Sequence, residues 1–381
     1  MIYLDNAATT FPKPDCVYEY VNEIQRTLAV NAGRGTYKAS RNATGIIDAV
    51  RRKIALLAKC DNPQEIVLSP SATISMNQII GGLRWSENTN VYISPFEHNA
   101  VARPLKKMSD KYGFKVHFLP FDKKTQELDG KQMSNMFAVK HPDVVFLNHM
   151  SNVTGLILPA EAIFSASRKY NAINILDASQ SFGLIDIDIK KIQANFIVFA
   201  GHKNLYGHFG TGGYISSGNV TLLPYLAGGT GSDSLNLEMP QLSPDRYEPA
   251  SHNIISISAL NSSLDWINGI GINNIYNHKK ELTSYAVELL RQNRKITIYT
   301  PTNEENHISV ISINHKDYKP EELAEILDAD FDIAVRSGYH CAPFVHNLIG
   351  TRERLGTVRI SLGYFNTTSD IDNLISALKE I

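Results

Sequence analysis

Residues 173–203 read INILDASQSFGLIDIDIKKIQANFIVFAGHK. Two short apolar runs, Ile173–Leu176 and Phe196–Ala200, each stop at small or polar residues: Asp177-Ala-Ser-Gln after the first, Gly201-His-Lys after the second. Continuous apolar runs of this length are typical of strands covered on both faces. The same grammar recurs at Ile66–Ser69, Val91–Ser94 and Val144–Asn148, with helix-like segments at Ala72–Leu83, Asn99–Tyr112 and Ala160–Tyr170 between the runs. Strand and helix in alternation predict an α/β fold with a mostly parallel central sheet and helices on both faces. Ligands in such sheets bind beyond the carboxyl ends of the strands. Every run ends in residues suited to a site there, including Ser94-Pro-Phe-Glu-His and Asn148-His-Met-Ser-Asn.

After about residue 265 the pattern changes. A helical stretch over Ile275–Arg294 precedes strand-like runs at Ile308–Ile313, Ile333–Arg336 and Val358–Leu362, with helices expected at Pro320–Leu327 and Ser369–Lys379. The expected organisation is a large domain over residues 15–265 and a smaller α+β domain made of 1–14 and 266–381. The Gly-, Ser- and Pro-rich segment Ala227–Asn253 is too long for an ordinary connection and reads as a loop covering a site or an interface. Among 381 residues, 37 Lys and Arg balance 38 Asp and Glu, so no global field draws the chain to nucleic acid or an anionic membrane. Cys16, Cys60 and Cys341 lie far apart without the spacing of a disulfide framework or zinc ribbon. The opening MIYLDNAATT lacks a basic flank followed by a long apolar run, and no stretch reaches membrane-spanning length. A cytoplasmic protein acting on a small molecule is the expectation.

Lys203 and Asp177 suggest which chemistry. A pyridoxal 5'-phosphate (PLP) enzyme needs a lysine to hold the cofactor and a carboxylate to keep its pyridine nitrogen protonated, because the protonated ring drains carbanion charge. Taken alone, an Asp after a strand is as well read as a turn or cap residue. The surroundings of Lys203 argue for more: Gly201 precedes it, and Gly207, Gly210, Gly212 and Gly213 follow, so backbone can approach a cationic side chain closely. Ser71, Ala72 and Thr73 open a helix whose first amides and dipole suit an anion such as a phosphate, and they equally suit an ordinary N-cap.

Nine motifs together resemble the cysteine desulfurases of the class V aminotransferase fold, most closely the group of SUF-type desulfurases and selenocysteine lyases. They are Asp5-Asn-Ala-Ala-Thr-Thr, Asn31-Ala-Gly-Arg-Gly, Ser71-Ala-Thr, Glu97-His, Ser151-Asn-Val-Thr-Gly, Asp177-Ala-Ser-Gln, Gly201-His-Lys, Arg336-Ser-Gly-Tyr-His-Cys-Ala-Pro and Arg359-Ile-Ser-Leu-Gly-Tyr-Phe-Asn-Thr. The resemblance spans nearly the whole chain and implies the PLP-dependent transferase fold of type I. It further implies that His98 stacks on the pyridine ring, Asp177 pairs with its nitrogen, and Asn152 and Gln180 address the phenolic oxygen. Thr73 and His202, with Ser71 and Ala72, would bind the phosphate. Arg359, with Asn152 and Arg34, would hold the substrate, the planar guanidinium being suited to a carboxylate. The family's homodimer has shared active sites, and Ser251 matches the hydroxyl that one chain lends to its partner's phosphate.

Cys341 separates sulfur chemistry from plain amino-group chemistry. It follows Gly338 and His340 and lies close to Arg336, where positive charge would favour the attacking thiolate. Cys16 and Cys60 read as small hydrophobes. The implied mechanism has Lys203 move the α-proton of a cysteine substrate and Cys341 take its sulfur as a persulfide, leaving alanine, with His98 as a proton carrier. The sulfur then passes to an acceptor protein. Departures from the family pattern touch the pocket: Ala200 stands in place of a hydroxyl residue, Tyr37 in place of a histidine, Ile74 in place of an acid, and Ala250-Ser-His in place of Gly-Thr-Pro. They leave open a selenocysteine lyase, another class V aminotransferase or lyase, and a PLP-binding scaffold of low turnover.

Overall fold

Strands form where the chain is continuously apolar, and alternate side chains then divide between two cores. A computed structural model describes residues 1–33, 35–231 and 235–381. Its strands are β1 (Ile2–Tyr3), β2 (Ile66–Ser69), β3 (Asn90–Ile93), β4 (Lys115–Phe118), β5 (Val144–Asn148), β6 (Ile173–Asp177), β7 (Phe196–Ala200) and β8 (Gly212–Ser216). Then follow β9 (Ile296–Ile298), β10 (Val310–His315), β11 (Ile333–Ala334), β12 (Arg336–Gly338) and β13 (Thr357–Ser361). Seven of them make the large sheet, in the order β2-β8-β7-β6-β5-β3-β4. All its pairings are parallel except those of β8, which runs antiparallel to both β2 and β7. On β7, Phe196 and Val198 pack on one face while Ile197 and Phe199 pack on the other, as the two-residue period requires.

The second sheet, β12-β13-β10-β9, is antiparallel throughout. Its core combines Ile311, Ile313, Val358 and Ile360 with Leu282, Ala286 and Leu290 of the helix Ile272–Arg291, and it also takes in Leu4. The segment expected as one strand over 333–336 divides: β11 pairs in parallel with β1, and β12 pairs with β13. The chain's first residues are thus fastened beside the second sheet.

The parallel registers fix the site. Asn148 lies opposite Asp177, and Asp177 opposite Val198, so three neighbouring strands present their carboxyl ends side by side. Ser69 ends β2 just before the helix Ala72–Gly82, whose N-cap is Ser71. On the other side of that turn β8 comes so close that a Cβ at Gly212 would sit 2.7 Å from the Ala72 nitrogen; glycine lets the strand back the helix entrance. No helix among the described residues is long and apolar enough to cross a membrane.

Candidate active site

A cavity of about 230 Å³ opens beyond the carboxyl ends of β2, β5, β6 and β7. Ser71, Ala72 and Thr73 form one wall. The Ser71 hydroxyl accepts the Ile74 N–H at 3.3 Å, and the Ala72 and Thr73 amides, in the first turn, have no intrahelical acceptor. Ala200 and His202 adjoin this wall. The imidazole of His202 stacks on Phe209 at 4.6 Å, and burial, with help from Lys203, pushes its pKa down to about 3. Its Nδ1 is buried without a partner.

Lys203 projects from the turn after β7. Removal from water pulls its pKa down to about 8; Asp177 opposes that shift, while the Arg359 and Arg336 guanidiniums add to it. Asp177 is buried, and its Oδ1 accepts both the Ser179 N–H at 3.0 Å and the Ser179 hydroxyl at 2.5 Å. His98 caps the helix Asn99–Tyr112, its Nδ1 accepting the Ala100 N–H at 3.0 Å. Burial, then the charge of Lys203, lowers its pKa to about 4. It is therefore neutral at physiological pH, with the ring hydrogen on Nε2.

The opposite side carries Asn152, Gln180, Arg336, His340 and Arg359. Asn152 donates through Nδ2 to the His340 carbonyl at 2.7 Å, while its Oδ1 is buried without a partner. Gln180 donates one Nε2 hydrogen to the Ala7 carbonyl at 2.8 Å, leaving a second N–H and the oxygen. Arg359 is 1% exposed. Its guanidinium pairs with Asp5 through Nη2 and donates to the Asn152 carbonyl through Nη1 at 3.2 Å, leaving Nε without a partner. Burial lowers its pKa and the Asp5 carboxylate resists that.

Cys341 is beside this cavity without forming part of its wall. It follows His340 in a left-handed pair, φ 48° and 57°; its Sγ lies 3.5 Å from Arg336 Nη2, and its carbonyl accepts the Asn99 N–H at 2.7 Å. Ser251 is elsewhere, accepting a bond from Asn31 Nδ2 at 3.2 Å on the rim of a separate cavity of about 710 Å³ that also contains Arg51, Glu248 and His252. Arg34 lies outside the described residues. The sequence reading overlooked Asp5, Ser179 and Asn148 as site residues, and also Glu97, whose fully buried carboxyl accepts from Ser94 and from the Asn148 amide and is pushed up to about 8 by desolvation. The Asp5 and Glu97 motifs were in view; their partners, distant in sequence, were not. No group of three or more metal-ligating side chains occurs among the described residues.

This constellation suits a planar, phosphate-bearing cofactor: amides at a helix entrance for the anion, an acid at the far end, a depressed lysine between, and orphaned polar atoms on Asn152 and His202 facing no protein partner. Residues 2–374 match the family described as Aminotransferase class-V. The chain belongs to this family. Among the relatives of this class-V aminotransferase is a probable cysteine desulfurase of Pyrococcus abyssi, 30% identical over 391 residues, covering 100% of this chain and 94% of the relative. The solved apo structure of the cysteine desulfurase of Thermococcus onnurineus superposes with a TM-score of 0.92 at 29% identity, over 99% of this chain and 94% of that one. The cysteine desulfurase CsdA of Escherichia coli, at 24% identity over 100% of this chain and 94% of that one, has a TM-score of 0.88 and shares the fold. The expectation of a class-V, type I fold with a mostly parallel sheet holds.

Proposed function

We propose that this class-V aminotransferase is a PLP-dependent cysteine desulfurase that converts L-cysteine to L-alanine and keeps the sulfur as a persulfide on Cys341. The observation carrying the reading is Cys341 Sγ beside the Arg336 guanidinium at the edge of a cavity that contains Lys203 and Asp177. The names of relatives such as the Pyrococcus abyssi protein support it.

Ser71, Ala72, Thr73 and His202 would hold the phosphate, Asp177 the ring nitrogen, His98 the ring face, and Asn152 with Gln180 the phenolic side. Bound there, PLP supplies an electron sink for charge developing on the substrate α-carbon. Lys203, with a pKa near 8, is poised to give up its place to the substrate amine and then to carry the α-proton. Arg359, together with Arg34 by family resemblance, would clamp the substrate carboxylate. Arg336 stabilises negative charge on the Cys341 sulfur as it attacks the substrate sulfur. A sulfur–sulfur bond forms, the substrate carbon–sulfur bond breaks, and its electron pair stays with the carbon skeleton, which leaves as alanine after protonation. An acceptor protein then takes the sulfur. The reading includes a homodimer in which Ser251 reaches the partner's phosphate, the division into 15–265 and 1–14 with 266–381, and a cytoplasmic setting.

The test is to mix PLP-loaded protein with L-cysteine and follow alanine and persulfide together. Both products are expected from the wild type. Cys341→Ala should lose the persulfide, and Lys203→Ala should lose all turnover. Cofactor binding without either product would reject the reading; alanine formed from selenocysteine alone, without a persulfide, would favour a selenocysteine lyase.

A further inference from the structure

Two lysines that the proposed chemistry does not use are buried beside the turn that carries Lys203. Lys279, in the helix Ile272–Arg291, is 2% exposed, and Lys13 is 8% exposed. Burying an ammonium is costly unless it binds something, yet neither has a carboxylate partner among the described residues. Lys279 Nζ donates to the Asn204 side-chain oxygen at 2.8 Å. The Asn204 amide in turn donates to the Gln180 carbonyl at 2.5 Å, and Gln180 donates to the Ala7 carbonyl. Lys13 Nζ donates to the His202 carbonyl at 2.8 Å and to the Thr9 hydroxyl at 3.3 Å. The same carbonyl accepts the Thr9 hydroxyl at 2.9 Å and the Thr10 N–H at 3.1 Å, and the Thr10 hydroxyl donates to the Lys203 carbonyl at 2.8 Å. The residues on either side of Lys203 are therefore each gripped by a buried amine.

We infer that Lys13 and Lys279 are positioning residues that clamp His202 and Asn204 and thereby fix the direction in which Lys203 presents its amine to the cofactor. Both come from chain outside the large sheet: Lys13 follows the segment fastened by β1, and Lys279 lies on a helix packed against the second sheet. The clamp is thus the grip of the smaller lobe on the cofactor lysine. Burial lowers both amines to about 7, consistent with sites built for hydrogen bonding rather than for ion pairing. The inference rests on Lys203 being the cofactor lysine, and it assigns the two amines no contact with cofactor or substrate.

The test replaces each lysine with methionine, of similar length and without donors, and reads the visible absorption of PLP bound to Lys203. Lys13→Met and Lys279→Met should melt as cooperative folded proteins. The pH midpoint of the bound-cofactor band should move by about half a unit or more, the scale of a lost hydrogen bond to a charged donor, and PLP should dissociate several-fold faster. Lys279→Gln, which keeps an N–H toward Asn204, should recover much of the wild-type spectrum, and it carries the test if Lys279→Met does not fold. Folded variants whose band midpoint and PLP dissociation match the wild type would overturn the inference. A wild-type protein that takes up no PLP would instead remove the functional reading beneath it.

Discussion

Arg336 Nη2 and Cys341 Sγ lie 3.5 Å apart, across a stretch in which His340 and Cys341 both adopt left-handed backbone. Strained conformations of that kind persist only where surrounding contacts over-determine them, here the Asn99 N–H on the Cys341 carbonyl and the Asn152 amide on the His340 carbonyl. If Cys341 is the nucleophile proposed above, a guanidinium at that distance would help it attack. Arg336→Ala should therefore slow alkylation of Cys341 by iodoacetamide by about tenfold at neutral pH, the effect of roughly one lost charge-assisted contact. Mass spectrometry of the Cys341 peptide against time measures it, with Cys60 as the internal reference.

Asp5 and Arg359 form a second decisive pair. Asp5→Asn keeps the shape and removes the countercharge from a guanidinium 1% exposed. An unpaired buried cation costs about 3 kcal/mol, so denaturant unfolding should have a lower midpoint, with an unfolding free energy reduced by about that amount. The KM for the amino-acid substrate should rise more than kcat falls, because the clamp loses its orientation.

The pKa of Lys203 in the folded chain, about 8, lies below the ordinary lysine value of 10.5. The unfolded chain binds the extra proton between those values, so the cofactor-free protein should gain stability from this group as pH rises from about 8 to 10.5 and keep a penalty below that window. PLP uptake requires the neutral amine. The rate of cofactor capture should climb about tenfold per unit as pH rises toward 8 and then level, followed by the growth of visible absorbance on mixing. A rate that keeps climbing tenfold per unit well beyond pH 8 would contradict the burial of the amine.

Ala200 lies on the cavity wall opposite Gly212 across the β7–β8 pairing, at the position where the family resemblance implies a hydroxyl. Ala200→Ser supplies a donor toward the expected phosphate. A net hydrogen bond contributes about 1 kcal/mol, and PLP should bind roughly fivefold more tightly in equilibrium dialysis.

How much of this could be read from the sequence depended on burial. Strands β5, β6 and β7 are covered on both faces and are legible as unbroken apolar runs. The edge strand β4, KVHF, is exposed at both ends of its four residues and shows no such run. Strand β8 begins with Gly212 and Gly213, which look like loop until their close backbone neighbours, Ala72 and Val67, are seen. The helix Ile254–Ile270 is apolar with interspersed serines and largely buried, so it offers no polar face to mark a period. Lys203, Asp177, His98, Asn152, Gln180 and His202, from segments that follow apolar strands, line one cavity together with Arg359, which lies within β13. Cys341 stands beside it, and Ser251 opens on a different one. The holding of Arg359 by Asp5 escaped notice because no local pattern connects residues 354 positions apart.

The pairing of β1 with β11 has a consequence for how the molecule is made. Residues 2–3 leave the ribosome long before their strand partners, residues 333–334, and Arg359 emerges later still. Contacts of such long range are slow to close and come after local ones. Strands β5 to β7, with the Asp177 and Lys203 turns, can assemble while the chain is still growing. The Asp5–Arg359 pair and the grip of the first residues on the His202 turn cannot, so a half-made chain can already shelter Lys203 but cannot yet close the side of the cavity where Arg359 is proposed to hold a substrate.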